Sequence, residues 1–277
     1  MFSFREKEFR TIWKIERDGK ESYLAGTAHF FPYRFQKSLG YYIQKTRGVL
    51  FEGPLDDQSM ALVIERGLEG GGAEAIYEAL DSQTIGRIKR IMAPLLNEPR
   101  SLSLLFPLGP ANRDPLYHWF KERRPWLAFL QIWSQFLKSA GWKYSVDLEA
   151  LKVATRLGRE VYFLETIEEQ VEALKGVPLE RMVNFLKKVE HWGDYAKTHA
   201  LFYLQGNVEQ VMSRLSEFPT RCPSIVENRD PVFFERMQNF LAEGEVIAFL
   251  GVSHMPGIKR MIRNQGYKVE QVRERDE

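Results

Sequence analysis

Several features that assign a chain to a class of protein are scarce or missing in this sequence. Its 277 residues include a single cysteine, Cys222, which excludes an internal disulfide and a cysteine-rich zinc site and favours a reducing compartment. No run approaches the roughly 18 uninterrupted apolar residues of a membrane helix. The N-terminus alternates charges where a signal peptide needs an apolar segment. These absences predict a soluble, cytoplasmic protein without a membrane span.

Neither the charge nor any phosphate-binding motif indicates a nucleic acid or nucleotide partner. The formal net charge is +2, which is too small to indicate nucleic-acid binding by itself. The sequence has no Gly-x-Gly-x-x-Gly, no Gly-Lys-Ser/Thr phosphate loop and no His-Glu-x-x-His zinc motif. We therefore expect no nucleic acid partner.

A short apolar run that ends in Gly-x-x-His occurs twice, at residues 23–29 and 246–254. Each run is predicted to be a strand buried on both faces. A glycine at the end of a strand permits a close backbone approach that a side chain would block. The histidine beyond it faces the crevice where open α/β sheets bind ligands. The sequence therefore predicts that His29 and His254 lie at the carboxyl edge of one sheet.

A third apolar strand, at residues 48–51, ends at Glu52. It follows the first histidine strand and a helix, and the right-handed crossover of such a unit makes the two strands parallel. Glu52 and His29 are then expected at the same edge. Two imidazoles and one carboxylate suit a divalent metal with open positions, which would polarise a carbonyl and activate water for amide or ester hydrolysis.

The same three residues permit two other interpretations. Without a metal, Glu52 orients one imidazole, which then acts as a general base. In a purely structural interpretation the histidines cap strand ends and Glu52 pairs with an arginine. The spacing alone leaves all three open.

Asn228 and Arg229 precede a predicted helix at residues 233–241 and form a second candidate pair. An arginine there can hold a carboxylate or stabilise an oxyanion, because its guanidinium keeps its charge. An ordinary ion pair is the alternative, and spacing alone favours it. We expect Glu165, at the end of a strand over 159–165, to form a structural ion pair, and Asp147 to be the N-cap of a helix over 145–157.

The order of predicted elements indicates an α/β fold with a central, mostly parallel or mixed sheet flanked by helices. Asp-Gly at 18–19 predicts a hairpin. Amphipathic runs from about 56 to 144 predict a helical insertion within one domain that spans 1–277, and Pro125 is expected to split its last run. The aromatic loop at 30–35 is expected to overhang His29.

The insertion also carries tryptophans at heptad spacing, Trp119, Trp126 and Trp133. We expect helix packing to account for this stripe. The alternative is a substrate groove.

Six short motifs, in this order along the chain, resemble those of the TraB/PrgY/GumN family, which is related to the Tiki proteases. They are Gly-Thr-Ala-His at 26–29, Leu-Phe-Glu at 50–52, Ser-Val-Asp at 145–147, Leu-Glu-Thr at 164–166 with Glu-Gln at 169–170, Asn-Arg at 228–229 and Gly-Val-Ser-His-Met-Pro-Gly at 251–257. The resemblance runs from about 21 to 272, and the helical middle at 54–144 matches poorly.

This resemblance implies a sheet with two pseudo-symmetric halves, as in the erythromycin esterase and ChaN-like group. Tiki members are metal-dependent proteases that use manganese or cobalt, so His29, Glu52 and His254 would hold such a metal rather than zinc. Glu52, Arg229 and Asn228 match catalytic positions. The implied function is a peptidase or amidase that takes a peptide or another small amide or ester, and the chain could form an oligomer. The alternative, from the ChaN-like relatives, is a non-catalytic protein that sequesters a peptide or haem.

Overall fold

The computed structural model describes residues 6–96, 114–214 and 216–273. They form an α/β structure with a mixed sheet flanked by helices, which confirms the predicted fold class. The sheet order is β4-β3-β5-β2-β1-β6. The strands are β1 Ile12–Arg17, β2 Lys20–Thr27, β3 Gly48–Phe51, β4 Glu160–Phe163, β5 Val246–Gly251 and β6 Lys268–Gln271. The pseudo-symmetry and the single domain remain predictions.

Four adjacent strands of the sheet, β4, β3, β5 and β2, run parallel, while β1 and β6 are antiparallel additions at one side. The predicted hairpin joins β1 to β2 through Asp18 and Gly19, whose φ angles are 54° and 75°. Both angles are positive, as the tight turn of a two-residue hairpin requires. β5 lies in the middle of the sheet and is buried along most of its length.

The described residues contain thirteen α-helices. They are α1 Gln36–Ile43, α2 Asp57–Leu68, α3 Glu74–Glu78, α4 Ser82–Leu96, α5 Pro115–Lys121, α6 Pro125–Ser139, α7 Val146–Arg156, α8 Ile167–Lys175, α9 Leu179–Lys187, α10 Trp192–Leu204, α11 Val208–Arg214, α12 Asp230–Glu243 and α13 Met255–Asn264. As predicted, the chain breaks at Pro125, which occupies the first turn of α6. That position suits proline because its missing N–H would have no partner there.

The helices between β3 and α7 pack around a second hydrophobic core, separate from the core around the sheet. Trp119 and Trp126 are buried in it. Trp133 packs edge-on against Phe185 and Trp192, with ring centroids 5.4 and 5.2 Å away. The tryptophan stripe therefore serves helix packing, as expected.

Candidate active site

Three parallel strands deliver the predicted site residues to one edge of the sheet. β5 lies between β2 and β3, with Thr27 opposite Gly251 and Phe51 opposite Phe249. Glu52 directly follows β3, and the two histidines lie within three residues of the ends of β2 and β5. This is the common edge that the βαβ argument predicts for His29 and Glu52.

The glycines of the two Gly-x-x-His motifs allow close approaches, as expected. The Gly251 N–H donates to Glu52 Oε1 at 2.5 Å, and a Cβ at Gly251 would lie 3.1 Å from that oxygen. A Cβ at Gly26 would lie 3.0 Å from the Met255 Cγ atom. The φ of Gly251 is −50°, which any residue can adopt. Space, rather than backbone conformation, therefore favours glycine at 251.

Glu52 holds a largely buried negative charge at this edge, with 13% of its side chain exposed. Its Oε1 atom accepts from Gly251 and its Oε2 atom accepts from Arg229 Nη2 at 2.8 Å. Burial acts to raise the pKa of Glu52, but the charges of His254, Arg229 and His29, together with the Gly251 N–H, outweigh it and lower the pKa to about 2. Glu52 is therefore ionised at neutral pH.

Arg229 bridges two carboxylates beside α12. Its Nε atom donates to Glu165 Oε2 at 2.9 Å and its Nη2 atom donates to both Glu165 and Glu52. The Nη1 atom donates to the Ile225 carbonyl. Burial raises the pKa of Glu165. The predicted structural ion pair of Glu165 is thus confirmed, while a role of Arg229 in binding substrate stays a prediction because its nitrogens already contact protein groups.

His254 lies inside the protein, in the 3₁₀ turn Val252–His254 that joins β5 to α13. Its side chain is 2% exposed, and Nδ1 lies 2.6 Å from Asp230 Oδ1. Nε2 points to the other side, 3.7 Å from Glu52 Oε1. The imidazole is therefore held between two carboxylates, one in hydrogen-bond contact and one beyond that distance.

His29 is the exposed member of the set, with 68% of its side chain accessible. Its Nδ1 atom lies 3.0 Å from Asp147 Oδ2, which is an ion-pair distance. The geometry is not that of a hydrogen bond, so among the described residues this buried oxygen has no hydrogen-bond partner. The charge of Asp147 raises the pKa of His29 to about 9. Solvent screens this attraction at so exposed a ring, so the pair contributes little to stability.

Asp147 and Asp230 are the site residues that sequence reasoning missed. The prediction that Asp147 caps α7 was wrong, because Ser145 is the N-cap and accepts from the Leu148 N–H. Asp147 and Asp230 both lie in the first turn of a helix, where an acidic residue is expected from the helix dipole alone. The helix-start position therefore gives no separate signal for a histidine contact, although Asp147 ends the Ser-Val-Asp motif of the family resemblance and Asp230 directly follows its Asn-Arg motif.

Two further expectations concern the surroundings of the site. Asn228 is exposed, and within the described residues its side chain makes no hydrogen bond to Glu52 or the histidines, so its catalytic role stays a prediction. The expectation that the aromatic loop at 30–35 overhangs His29 was wrong for two of its rings, while Phe30 and Tyr33 are partly buried. Phe31 and Phe35 are buried in the main core, and Phe31 packs 4.8 Å from the ring of Tyr203, because burial of large aromatic rings is strongly favourable.

A family model for the TraB/PrgY/gumN family matches residues 11–271. The chain belongs to this family. The match includes both Gly-x-x-His motifs, Glu52 and Arg229, and it extends through the helical insertion, where the sequence resemblance was poor. A search of curated proteins found no match. The relation to the Tiki proteases stays a prediction. Along the described segments of this family member, no helix is both long and apolar enough to cross a membrane.

The fit of this family member's site to a metal ion is partial. Metal-bound histidines characteristically donate their second ring nitrogen to a carboxylate, and both His29 and His254 turn Nδ1 towards a buried aspartate. Their Nε2 atoms and Glu52 are donors of a suitable type. In residues 6–96, 114–214 and 216–273, however, no three His, Cys, Asp or Glu side chains are grouped closely enough to hold a metal. The donor chemistry fits, but the grouping is incomplete.

Proposed function

We propose that this TraB/PrgY/gumN family member is a hydrolase of the peptidase or amidase class, with its centre at the sheet edge that carries His29, Glu52 and His254. The observation that supports it best is an ionised, largely buried glutamate 3.7 Å from His254 Nε2, at the sheet edge that also carries His29, with the Nδ1 atoms of both imidazoles facing aspartates. Because His29 is exposed, its side chain has no evident structural role. The carboxyl edge of parallel strands is also where α/β proteins bind ligands.

The acidity of Glu52 favours a metal-dependent form of this reaction. A carboxylate with a pKa near 2 is a weak proton acceptor at neutral pH, so Glu52 acts better as a fixed charge that attracts a cation. We propose that His29, His254 and Glu52 hold a divalent metal, manganese or cobalt rather than zinc. When bound, it would polarise the scissile carbonyl and activate water. Arg229 keeps Glu52 ionised and in place.

A metal-free hydrolase is the second candidate. It is favoured by the contacts of Glu52, whose two oxygens already accept from Gly251 and Arg229. In this form Glu52 orients the imidazole of His254, which accepts a proton from the attacking water, and the charged, exposed His29 donates a proton to the leaving group.

Cleavage of a peptide library, followed by mass spectrometry, tests the proposal. We expect the wild-type protein to cleave peptides with added manganese or cobalt, and Glu52→Gln to bind the same peptides without cleaving them. Exhaustive chelation should abolish the activity of a metal-dependent enzyme, while undiminished cleavage after chelation would select the metal-free form. A wild-type protein that binds peptide or haem without turnover would refute both forms and leave a sequestering protein.

A further inference from the structure

The Asp230 carboxylate is enclosed between the first turns of two helices. Asp230 begins α12, and its side chain is 6% exposed. One oxygen contacts His254 Nδ1 at 2.6 Å. The ring of Phe233 lies edge-on to the imidazole at 5.2 Å. Asp230 and Phe233 thus contact the imidazole within the interior, away from bulk water.

The other oxygen of Asp230 occupies the space where residue 257 would carry a side chain. A Cβ atom at Gly257 would lie 1.8 Å from Asp230 Oδ2 and 2.9 Å from its Cγ atom. These are distances that no side chain can adopt, so Asp230 can occupy this position only while residue 257 is glycine. Gly257 lies in the first turn of α13, where the helix dipole favours a carboxylate.

An aspartate in this place determines which ring nitrogen of the imidazole carries the free lone pair. An ionised carboxylate only accepts hydrogen bonds, and a neutral imidazole carries its proton on one nitrogen only. With Nδ1–H donated to Asp230, the lone pair is on Nε2, the atom that faces Glu52. The opposite tautomer would place a lone pair against the Asp230 oxygen at 2.6 Å, which is repulsive.

We propose that Asp230 is a positioning residue that fixes the orientation and the Nδ1–H tautomer of His254, and that Gly257 provides the space it needs. The catalytic consequence rests on the proposed function, since it is the Nε2 lone pair that would serve a metal or a proton. The tautomer itself is a property of the fold.

Nuclear magnetic resonance of the full chain labelled with ¹⁵N-histidine tests the assignment. The chain has five histidines, so the His254 ring can be assigned by its absence in His254→Gln. At a pH where this ring is neutral, the wild-type protein should show proton coupling that places the hydrogen on Nδ1. Asp230→Asn should lose this preference, because its amide group can donate to Nδ1 and favour the Nε2–H form.

Gly257→Ala provides an independent variant, because it displaces Asp230 without removing a charged group. It should change the His254 tautomer in the same direction as Asp230→Asn. Gly193→Ala is the matched control. Gly193 also lies in the first turn of a helix, α10, and a Cβ there would meet no atom within 4 Å. The control should leave the His254 signals unchanged.

The outcomes separate this inference from the proposed function. If peptides are cleaved, both variants should lower kcat about 10- to 100-fold, the usual effect of removing an outer partner of a histidine, with KM nearly unchanged. Changed tautomers in a protein that cleaves nothing would refute the hydrolase and keep the positioning role. A wild-type His254 in the Nε2–H form, or Nδ1–H signals that persist in Asp230→Asn, would overturn the positioning role even in an active enzyme.

Discussion

The two Gly-x-x-His motifs are alike in sequence but differ in their surroundings. Both follow parallel, adjacent strands, and both place a histidine against an aspartate. Yet the His29 side chain is 68% exposed and that of His254 is 2% exposed. The difference arises after the strands: β5 continues through a 3₁₀ turn into α13, which packs on α12, whereas β2 is followed by a loop that leaves His29 at the surface while its Phe31 and Phe35 are buried.

This difference divides the site into a fixed half and an accessible half. Two consecutive residues at the start of α12 hold the fixed half in place. Arg229 contacts Glu52, and Asp230 contacts His254. His29 lies outside this enclosure and is the member of the set most open to solvent. A shared motif therefore identifies the strand ends, while the neighbouring helices determine what each histidine does.

The largest expected effect comes from the fixed half, through Arg229→Leu. This change leaves Glu52 and Glu165 buried side by side without their common cation, and loss of one partner from a buried ion pair costs about 3–5 kcal/mol. The matched control is Arg236→Leu, since Arg236 pairs with Glu169 by two hydrogen bonds at an exposed position and also donates to a backbone carbonyl, that of Leu164, as Arg229 does to that of Ile225. There we expect a loss of less than about 1 kcal/mol. Urea unfolding of both variants measures the two losses of unfolding free energy. Equal losses would contradict the view that Arg229 holds a fixed half of the site.

A smaller effect should separate the glycines of the two motifs. Gly26→Ala and Gly251→Ala both introduce a methyl group into a close contact, so each should cost about 1–3 kcal/mol in urea unfolding. Only Gly251→Ala presses on Glu52, because the contact at Gly26 is with the side chain of Met255. Peptide cleavage should therefore fall much further in Gly251→Ala at a temperature where both variants are folded. Similar activities in the two variants would show that the Gly251 contact does not matter for the site.

The effects of pH have opposite signs in the two halves, and the contribution of His29 is the smallest of the effects expected here. The lowered pKa of Glu52 means that its contribution to stability is complete above pH 4.5 and is lost as the pH falls through about 2. The raised pKa of His29 means that its contribution is complete below pH 6.5 and is lost as the pH rises through about 9. The His29 effect should be the weaker of the two, because its ring is exposed.

Urea midpoints measured across this pH range test both signs. Glu52→Gln should flatten the decline of stability between about pH 4.5 and 2. His29→Gln should flatten a shallower decline between about pH 6.5 and 9. A Glu52→Gln variant that keeps the acid decline of the wild type would refute the ionised, buried state of Glu52.

Local sequence predicts the parts of this fold that depend on local physics. Apolar runs that end at glycine gave the histidine strands, Asp18-Gly19 gave the hairpin turn, and Pro125 gave the break between α5 and α6. The parallel direction of β2 and β3, and with it the common edge of His29 and Glu52, followed from the handedness of a βαβ unit, whereas the place of β5 between them was not predicted. The family assignment from the ordered motifs also proved correct.

The remaining features depend on contacts between distant segments, which a single sequence does not reveal. Asp230 reaches a histidine 24 residues away, and Asp147 of α7 reaches one in the loop that follows β2. The inward packing of Phe31 likewise depends on Tyr203 of α10. In the sequence alone, each of these residues fits a simpler local role: an acidic residue at a helix start, or an exposed aromatic residue in a loop. Only the folded structure distinguishes that local role from the long-range contact.

The most direct test of the account asks whether the two histidines serve one site. Peptide-cleavage rates are compared for the wild type, His29→Gln, His254→Gln and the double variant. Residues that act as a unit are strongly non-additive, so either single change should remove nearly as much activity as both together. Losses that multiply in the double variant, or a single variant that keeps the wild-type rate, would contradict a common site.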